Sequence, residues 1–330
     1  MTQSPVTLFV EDIQALAAAL PSEKRFPALE RVLSRGVQNR LAATKPNHAR
    51  YELLGASGAG QPAVAALCRV SDSGRPVEEG GYWLRADPVT LRADMSRVFL
   101  LSCGNADYTP QEQKELGLLV TQVLEREGIE ALQTDSGYWL MALPESPSFD
   151  FPALHEVLGR DLAEMLPEHA EAAVWKKRMT DIQVELHQSG LNQRRRDMGQ
   201  QEINSIWFWG GGVAPGVERK AFSQVVTRDP VTRGLALLAG VPVSSNPDLA
   251  AMESPAMIDW LMETADPAKE AEKLEHAVLD ILKSPAAAKQ GLRLVAGDGR
   301  AWNYRLSDRY RIWRKIEPLS RIFATEPGSG

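Results

Sequence analysis

Only two cysteines occur in 330 residues, Cys68 and Cys103, and both lie in apolar runs, ALCRV and FLLSC. That scarcity excludes a disulfide scaffold and leaves buried free thiols in a reducing compartment as the expectation. Histidine is nearly as sparse: His48, His155, His169, His187 and His276, none of them in HExxH, HxH or DxxxH. Isolated histidines of this kind read as structural or surface residues, not as a metal set. GxSxG, the Walker lysine motif, GxGxxG and CxxC are also missing, which removes the usual nucleophile and nucleotide signatures. No stretch approaches the eighteen or so uncharged apolar residues of a membrane span, and MTQSPVTLFVEDIQ lacks the layout of a secretory leader, so a cytoplasmic protein is expected. Positive charge is in short supply as well. A formal net charge of −6 and a pI near 5.6 argue against a whole-chain nucleic-acid or membrane-surface binder.

What is present is an ordinary globular composition, 44% hydrophobic and 24% charged, patterned as alternating strands and helices. VTLFV at 6–10 is a buried strand by its β-branched and aromatic content, and FPALERVLSRG at 26–36 has helical spacing with a glycine stop. Turn-rich SDSGRPVEEG at 72–81 precedes strands at 82–88 and 97–103 and a helix at 109–128 started by Thr-Pro. IEAL and GYWLMALP at 137–144 add two strands, PESPSFDFP at 144–152 reads as a linker, and a helix is expected at 171–187. INSIWFW then reads as a strand, DPVTRGLALLAG and PAKEAEKLEHAVLDILKSP as helices, and residues 292–306 as a hairpin turning at Asp298-Gly299.

Two segments carry unusual chemistry. Between Gly291 and Arg321 eight basic residues interleave with Trp302, Tyr304, Tyr310 and Trp313, the mixture that attracts phosphates and stacks bases. The plainer expectation is aromatics facing the core with arginines snorkelling outward. The second segment, LHQSGLNQRRRDMGQQEINSIWFWGGGVAP, sets Asn192, Arg195 and Asn204 on or beside a loop and follows the strand with Gly210, Gly211 and Gly212. Amides of a glycine turn can hold an anion, although glycines also serve tight corners, and here Val-Ala-Pro follows in place of a helix start.

The run Asn192-x-x-Arg195-x-x-x-Gly199, followed by Asn204 and Gly210-x-Gly212, resembles a pattern in the archaeal-type cofactor-independent phosphoglycerate mutases of the alkaline-phosphatase superfamily. The likeness extends diffusely over residues 5–215: PALERVLSRG, Tyr51-Glu-Leu-Leu-Gly55, and the DPVTLRADMSRVFLL and TPQEQKELGLLVTQVLEREGIEALQTDSGYWLMAL stretches. The chain also resembles bacterial RpfE-type regulatory proteins, in which ADP-x-x-L-RAD and N-S-x-W-x-W-G-G-G recur. The resemblance implies an α/β fold: an alkaline-phosphatase-like central sheet flanked by helices, with an inserted small α+β domain. The expected division is a discontinuous core at 1–75 and 165–330, an insert at 76–164, and a frayed tail at 325–330.

The departures from that family bear on chemistry. The first strand ends in Glu11-Asp12-Ile13, an acid without the family's metal-binding Asp-Gly. Pro46 stands where the serine nucleophile belongs, and from Val217 onward His276 is the only histidine. Trp209 replaces the arginine expected before Gly-x-Gly. A phosphoenzyme route needs an activated hydroxyl and divalent metals. The expectation is therefore a non-catalytic regulatory or small-anion-binding protein with no cofactor, its partner a small phosphorylated or anionic metabolite or another protein. Asn192, Arg195, Asn204, Gly210, Gly211 and Gly212 are the candidate ligand-binding residues, while Asp12, Thr44 and His48 are the remaining catalytic candidates. One alternative is a Mn- or Zn-dependent mutase or phosphohydrolase with an unrecognised site. Another is a nucleic-acid-associated protein acting through residues 291–321.

Overall fold

The computed structural model describes residues 4–57, 60–75, 81–94, 97–103, 108–165, 168, 170–218, 221–253 and 255–324. His169, the 325–330 tail and the side chain of Cys103 lie outside that description; Cys68 is buried and free of disulfide. The strands, in chain order, are β1 Val6–Val10, β2 Val37–Arg40, β3 Tyr82–Asp94, β4 Arg97–Cys103, β5 Ala131–Gln133 and β6 Trp139–Leu143. They continue with β7 Ser205–Val213, β8 Gln224–Val226, β9 Val243–Ser244, β10 Ala256–Trp260, β11 Leu292–Ala296 and β12 Arg300–Tyr304.

Two compact units result, one formed by Met1–Gly58 with Gly216–Gly330 and the other by Ala59–Pro215. The junctions thus differ from the expected ones near residues 75 and 165. Segment 165–215, expected in the discontinuous core, packs with the other unit because β7 pairs along most of β3, from Tyr82↔Val213 to Val89↔Ser205. Helix Val64–Ser73 belongs there too, resting on β3 and β7.

In the discontinuous unit a seven-stranded sheet runs β2-β12-β11-β1-β10-β8-β9. It is mostly parallel: β1 lies between β10 and β11, both parallel to it, and only β12 is reversed, pairing antiparallel with β11 on one side and with the edge strand β2 on the other. Parallel strands must be covered on both faces. Val6, Leu8 and Val10 project into a core completed by Leu16, Leu29, Val32, Leu274 and Val278 from the helices Ile13–Ala19, Pro27–Arg35 and Pro267–Lys283. The period of two sends Thr7 and Phe9 to the opposite face. Trp302 and Tyr304 are buried as expected, but Tyr310 and Trp313 are 64% and 76% exposed, against the expectation that all four face the core.

In the other unit β3 is long enough to pair with three strands. Its first half pairs with β6 and its second with β4 along one edge, and β7 takes the other edge. Helix Pro110–Arg126 starts with a capping box in which the Thr109 hydroxyl accepts from Glu112 N–H and the Glu112 carboxylate accepts from Thr109 N–H. Trp175 meets Phe151 and Phe208 edge to face, at centroid distances of 5.4 and 4.8 Å, Phe151 and Phe208 are tilted at 6.0 Å, and the cluster anchors helix Ala170–Gln188 to β7.

Candidate functional site

In open α/β sheets, ligands and reactive groups gather beyond the carboxyl ends of the parallel strands. Three acids do so here. Glu11 follows β1, Asp259 is the next-to-last residue of β10, and Asp229 follows β8 as the N-cap of helix Pro230–Leu238. All three converge on Arg50, from helix Pro46–Leu54, whose side chain is 2% exposed. Its Nη2 lies 2.7 Å from Glu11 Oε2, and its Nε lies 3.0 Å from Asp259 Oδ2 and 3.5 Å from Asp229 Oδ1. Nη1 donates to Asn47 Oδ1 at 3.0 Å, and the guanidinium stacks 4.9 Å above the Phe9 ring.

Burial by itself lowers the pKa of this arginine, yet Asp259, Asp229 and Glu11 outweigh it and raise the pKa above its ordinary value. Asp259 is pushed upward by its own burial, with Asp229 adding to the push, against the pull of Arg50 and the hydroxyl hydrogen bond from Thr232. The site is therefore an acidic cluster built around a permanent internal cation. Among the described residues no group of three or more His, Cys, Asp or Glu side chains could hold a metal ion. The acids of the cluster do not fit a Mn or Zn pair, because the guanidinium already fills the space between them.

The catalytic candidates surround this site in sequence without completing it. Asp12 is exposed at the start of helix Ile13–Ala19. Thr44 is exposed in the loop before helix Pro46–Leu54, where Pro46 takes the first helical position, and His48 is half-buried on that helix. His276 is exposed mid-helix with Nδ1 on the Glu272 carbonyl.

The candidate ligand-binding residues are all in the other unit, and protein atoms engage their polar groups. Asn192 and Arg195 sit on helix Gly190–Asp197, not on a loop, because the Ser189 hydroxyl caps it by accepting from Asn192 N–H. The buried Asn192 amide donates to the Leu186 and Ile203 carbonyls at 2.9 and 2.7 Å and accepts from Ile203 N–H at 3.0 Å. Arg195, 3% exposed, donates to the Gln201 carbonyl at 2.7 Å and to Glu112 Oε1 at 2.8 Å. Asn204 bonds both backbone groups of Leu91 at 2.7 Å, where a register shift in β3 interrupts the ladder to β4.

Gly210, Gly211 and Gly212 do not form a turn; they continue β7. Their missing side chains make room for neighbours. A Cβ on Gly210 would come within 2.9 Å of Val64 Cβ, one on Gly212 within 2.6 Å of Ala63 Cβ, and one on Gly211 would strike the Tyr82 hydroxyl. Trp209 donates to Asp87 Oδ2 at 2.6 Å, and Arg85 holds the same carboxylate with Nε and Nη2 at 2.7 Å each. Arg85 also lies 3.7 Å over the Tyr138 ring.

Sequence reasoning missed Arg50, Asp229 and Asp259. The one available signal was an acid inside an apolar strand, PAMIDWLM, which requires a buried partner.

No protein-family model matches the chain. Over 65 residues, 20% of the chain, it is 32% identical to a 2,3-bisphosphoglycerate-independent phosphoglycerate mutase of Methanothrix thermoacetophila, and that match spans only 17% of the relative. The PH0037 protein from Pyrococcus horikoshii is similar in fold, with a TM-score of 0.50 at 14% identity over 91% of this chain and 87% of that one. A cofactor-independent phosphoglycerate mutase from Thermoplasma acidophilum aligns with a TM-score of 0.46 at 14% identity, over 98% and 96% of the two chains. Among the described residues no helix is long and apolar enough to cross a membrane.

Proposed function

We propose that this chain is a phosphoglycerate-mutase-like protein that does not perform metal-dependent phosphoryl transfer and acts as a regulatory or small-anion-binding protein. The observation that carries this reading is Arg50, seated among Glu11, Asp229 and Asp259 where the strand ends would otherwise offer carboxylates to a divalent ion. A divalent metal would have to displace a buried, fork-shaped cation that bonds two edges of the cluster at once. Support also comes from the entrance to helix Pro46–Leu54: it presents a proline, and the nearest hydroxyl, Thr44, is exposed in the preceding loop. Phosphoenzyme chemistry needs a hydroxyl held beside a base or metal.

The test is direct. Purified protein is analysed for bound Mn and Zn, then assayed with 3-phosphoglycerate and a generic phosphomonoester in the presence of added Mn²⁺. The expected result is substoichiometric metal and no turnover above the buffer rate. Stoichiometric metal with turnover abolished by Asp259→Asn would sink the reading and favour the mutase or phosphohydrolase alternative.

A further inference from the structure

Helix Pro27–Arg35 places Arg31 and Arg35 one turn apart on one face, with Pro27 a further turn back. That face borders an open pocket of about 480 Å³ that is also lined by Arg309, Ile316 and the Arg25–Glu30 ion pair. The volume falls in the range of small-molecule sites, roughly 300–1,000 Å³. Such a position would be unremarked if each guanidinium had its own carboxylate. None of Arg31, Arg35 and Arg309 has one among the described residues.

Arg31 makes no hydrogen bond or ion pair among those residues, and Arg35 Nη1 donates to the Arg309 carbonyl while its buried Nε has no partner. Arg309 spends Nη2 on the Tyr310 hydroxyl at 2.6 Å. The nearby acids are committed elsewhere. Glu30 accepts Arg25 Nε at 3.0 and 2.8 Å, Arg25 Nη2 at 2.7 Å and Leu319 N–H at 3.2 Å. Asp308 is taken by Arg311 Nη2 at 3.1 Å and by Arg305 N–H at 2.9 Å. Tyr304 lies within reach of the same groups: burial and Asp308 raise its phenol above the ordinary value, against the opposing pull of Arg31, Arg35 and Arg309.

We infer that Arg31, Arg35 and Arg309 form a binding site for a multiply charged phosphorylated small molecule, with Pro27 and Ile316 as its apolar walls. Three uncompensated cations repel one another, and in a chain whose net charge is −6 this is a local reversal of sign. A polyanion relieves that repulsion, and planar guanidinium forks match phosphate oxygens two at a time. This site deepens the small-anion reading above and rests on it, but uses none of Asn192, Arg195, Asn204 and Gly210 to Gly212. It also gives part of the basic C-terminal segment a role that does not involve nucleic acid.

The probe is sodium pyrophosphate, with sodium chloride of equal ionic strength as control, read by calorimetry and by thermal shift on the full chain. Saturable binding with a raised Tm is expected, because a ligand that binds only the native state stabilises it. In the Arg31→Gln/Arg309→Gln double variant the affinity should fall at least about tenfold, the loss of one charge-assisted hydrogen bond or more. These side chains make no ion pair, so the variant should keep the wild-type circular dichroism and an unliganded Tm no lower than wild type. A second variant, Arg309→Lys, retains charge without the fork and should bind with intermediate affinity. Absence of saturable binding by the wild type, or binding unchanged in the double variant, overturns the site. Tighter binding of single-stranded oligonucleotide than of pyrophosphate, lost in Trp313→Ala, overturns it in favour of the nucleic-acid alternative. The two readings fail separately: turnover of 3-phosphoglycerate sinks the non-catalytic reading, while missing pyrophosphate binding without turnover sinks only this cavity.

Discussion

Two arginines, half-buried Arg85 and buried Arg50, are held in opposite ways. Arg85 shares one carboxylate, Asp87, with the Trp209 indole, so cation and anion are matched one to one. Arg50 faces three carboxylates drawn from three strand ends, so the acids outnumber the cation. A matched pair has done its work once the chain is folded, since both partners are satisfied within one unit. A mismatched cluster is different: removing Arg50 leaves Asp259 buried without its cation beside half-buried Asp229 and the more exposed Glu11. The first arrangement joins β3 to β7. The second fixes the ends of β1, β8 and β10 against helix Pro46–Leu54.

Arg50→Ala is the strongest test of that contrast and should cost about 3–5 kcal/mol in urea unfolding at neutral pH. Arg50→Lys should recover only part, because an ammonium cannot bond two edges of the cluster. If Arg85→Ala proved equally costly, the distinction between matched and mismatched would be broken. Gly210→Ala comes next, at about 1–3 kcal/mol by thermal melting, since β7 is overpacked against Val64 and the residue has a φ of 66°. Trp209→Phe keeps the ring and loses the bond to Asp87, for which about 0.5–1.5 kcal/mol is expected, with Arg85 still holding the carboxylate.

The smallest effect at neutral pH concerns acid sensitivity. Burial works to raise the Glu112 carboxyl, but Thr109 N–H, Arg195 and the Thr109 hydroxyl together lower it below its ordinary value. A depressed folded-state pKa contributes stability that is present above the unfolded value, about 4.3, and lost as pH falls through the folded value. Urea midpoints measured from pH 6 downward should therefore decline less steeply in Glu112→Gln than in wild type. An identical slope would show that the cap and Arg195 do not bias the carboxylate.

Elements whose cause is local were legible. VTLFV, the Thr109-Pro110 helix start and the Asp298-Gly299 hairpin each depend on a few consecutive residues, and each appears in the structure as β1, helix Pro110–Arg126 and the β11–β12 pair. The glycine run was misjudged because its reason is remote. Gly210 and Gly212 are small so that Val64 and Ala63 can approach, and nothing within NSIWFWGGG announces those neighbours. The segment expected on or beside a loop holds Asn192 and Arg195 on a short helix, GLNQRRRD, capped by Ser189 and composed largely of the helix formers Leu, Gln and Arg. Arg50 was invisible for a plainer reason: Asp259 lies 209 residues away in sequence. A guanidinium in NHARYELLG looks like any surface arginine until the strand ends are brought beside it.

The place of β1 in its sheet has a consequence for synthesis. Val6 to Val10 are synthesised well before their ladder partners among the described residues, β10 and β11, at residues 256–260 and 292–296. At translation rates of roughly 5–20 residues per second, this apolar segment waits on the order of ten to fifty seconds for its neighbours to be made. Meanwhile Ala59–Pro215 emerges whole and is free to fold first. The nascent chain therefore carries a completed unit between an unpaired, aggregation-prone strand and the partners that strand still awaits.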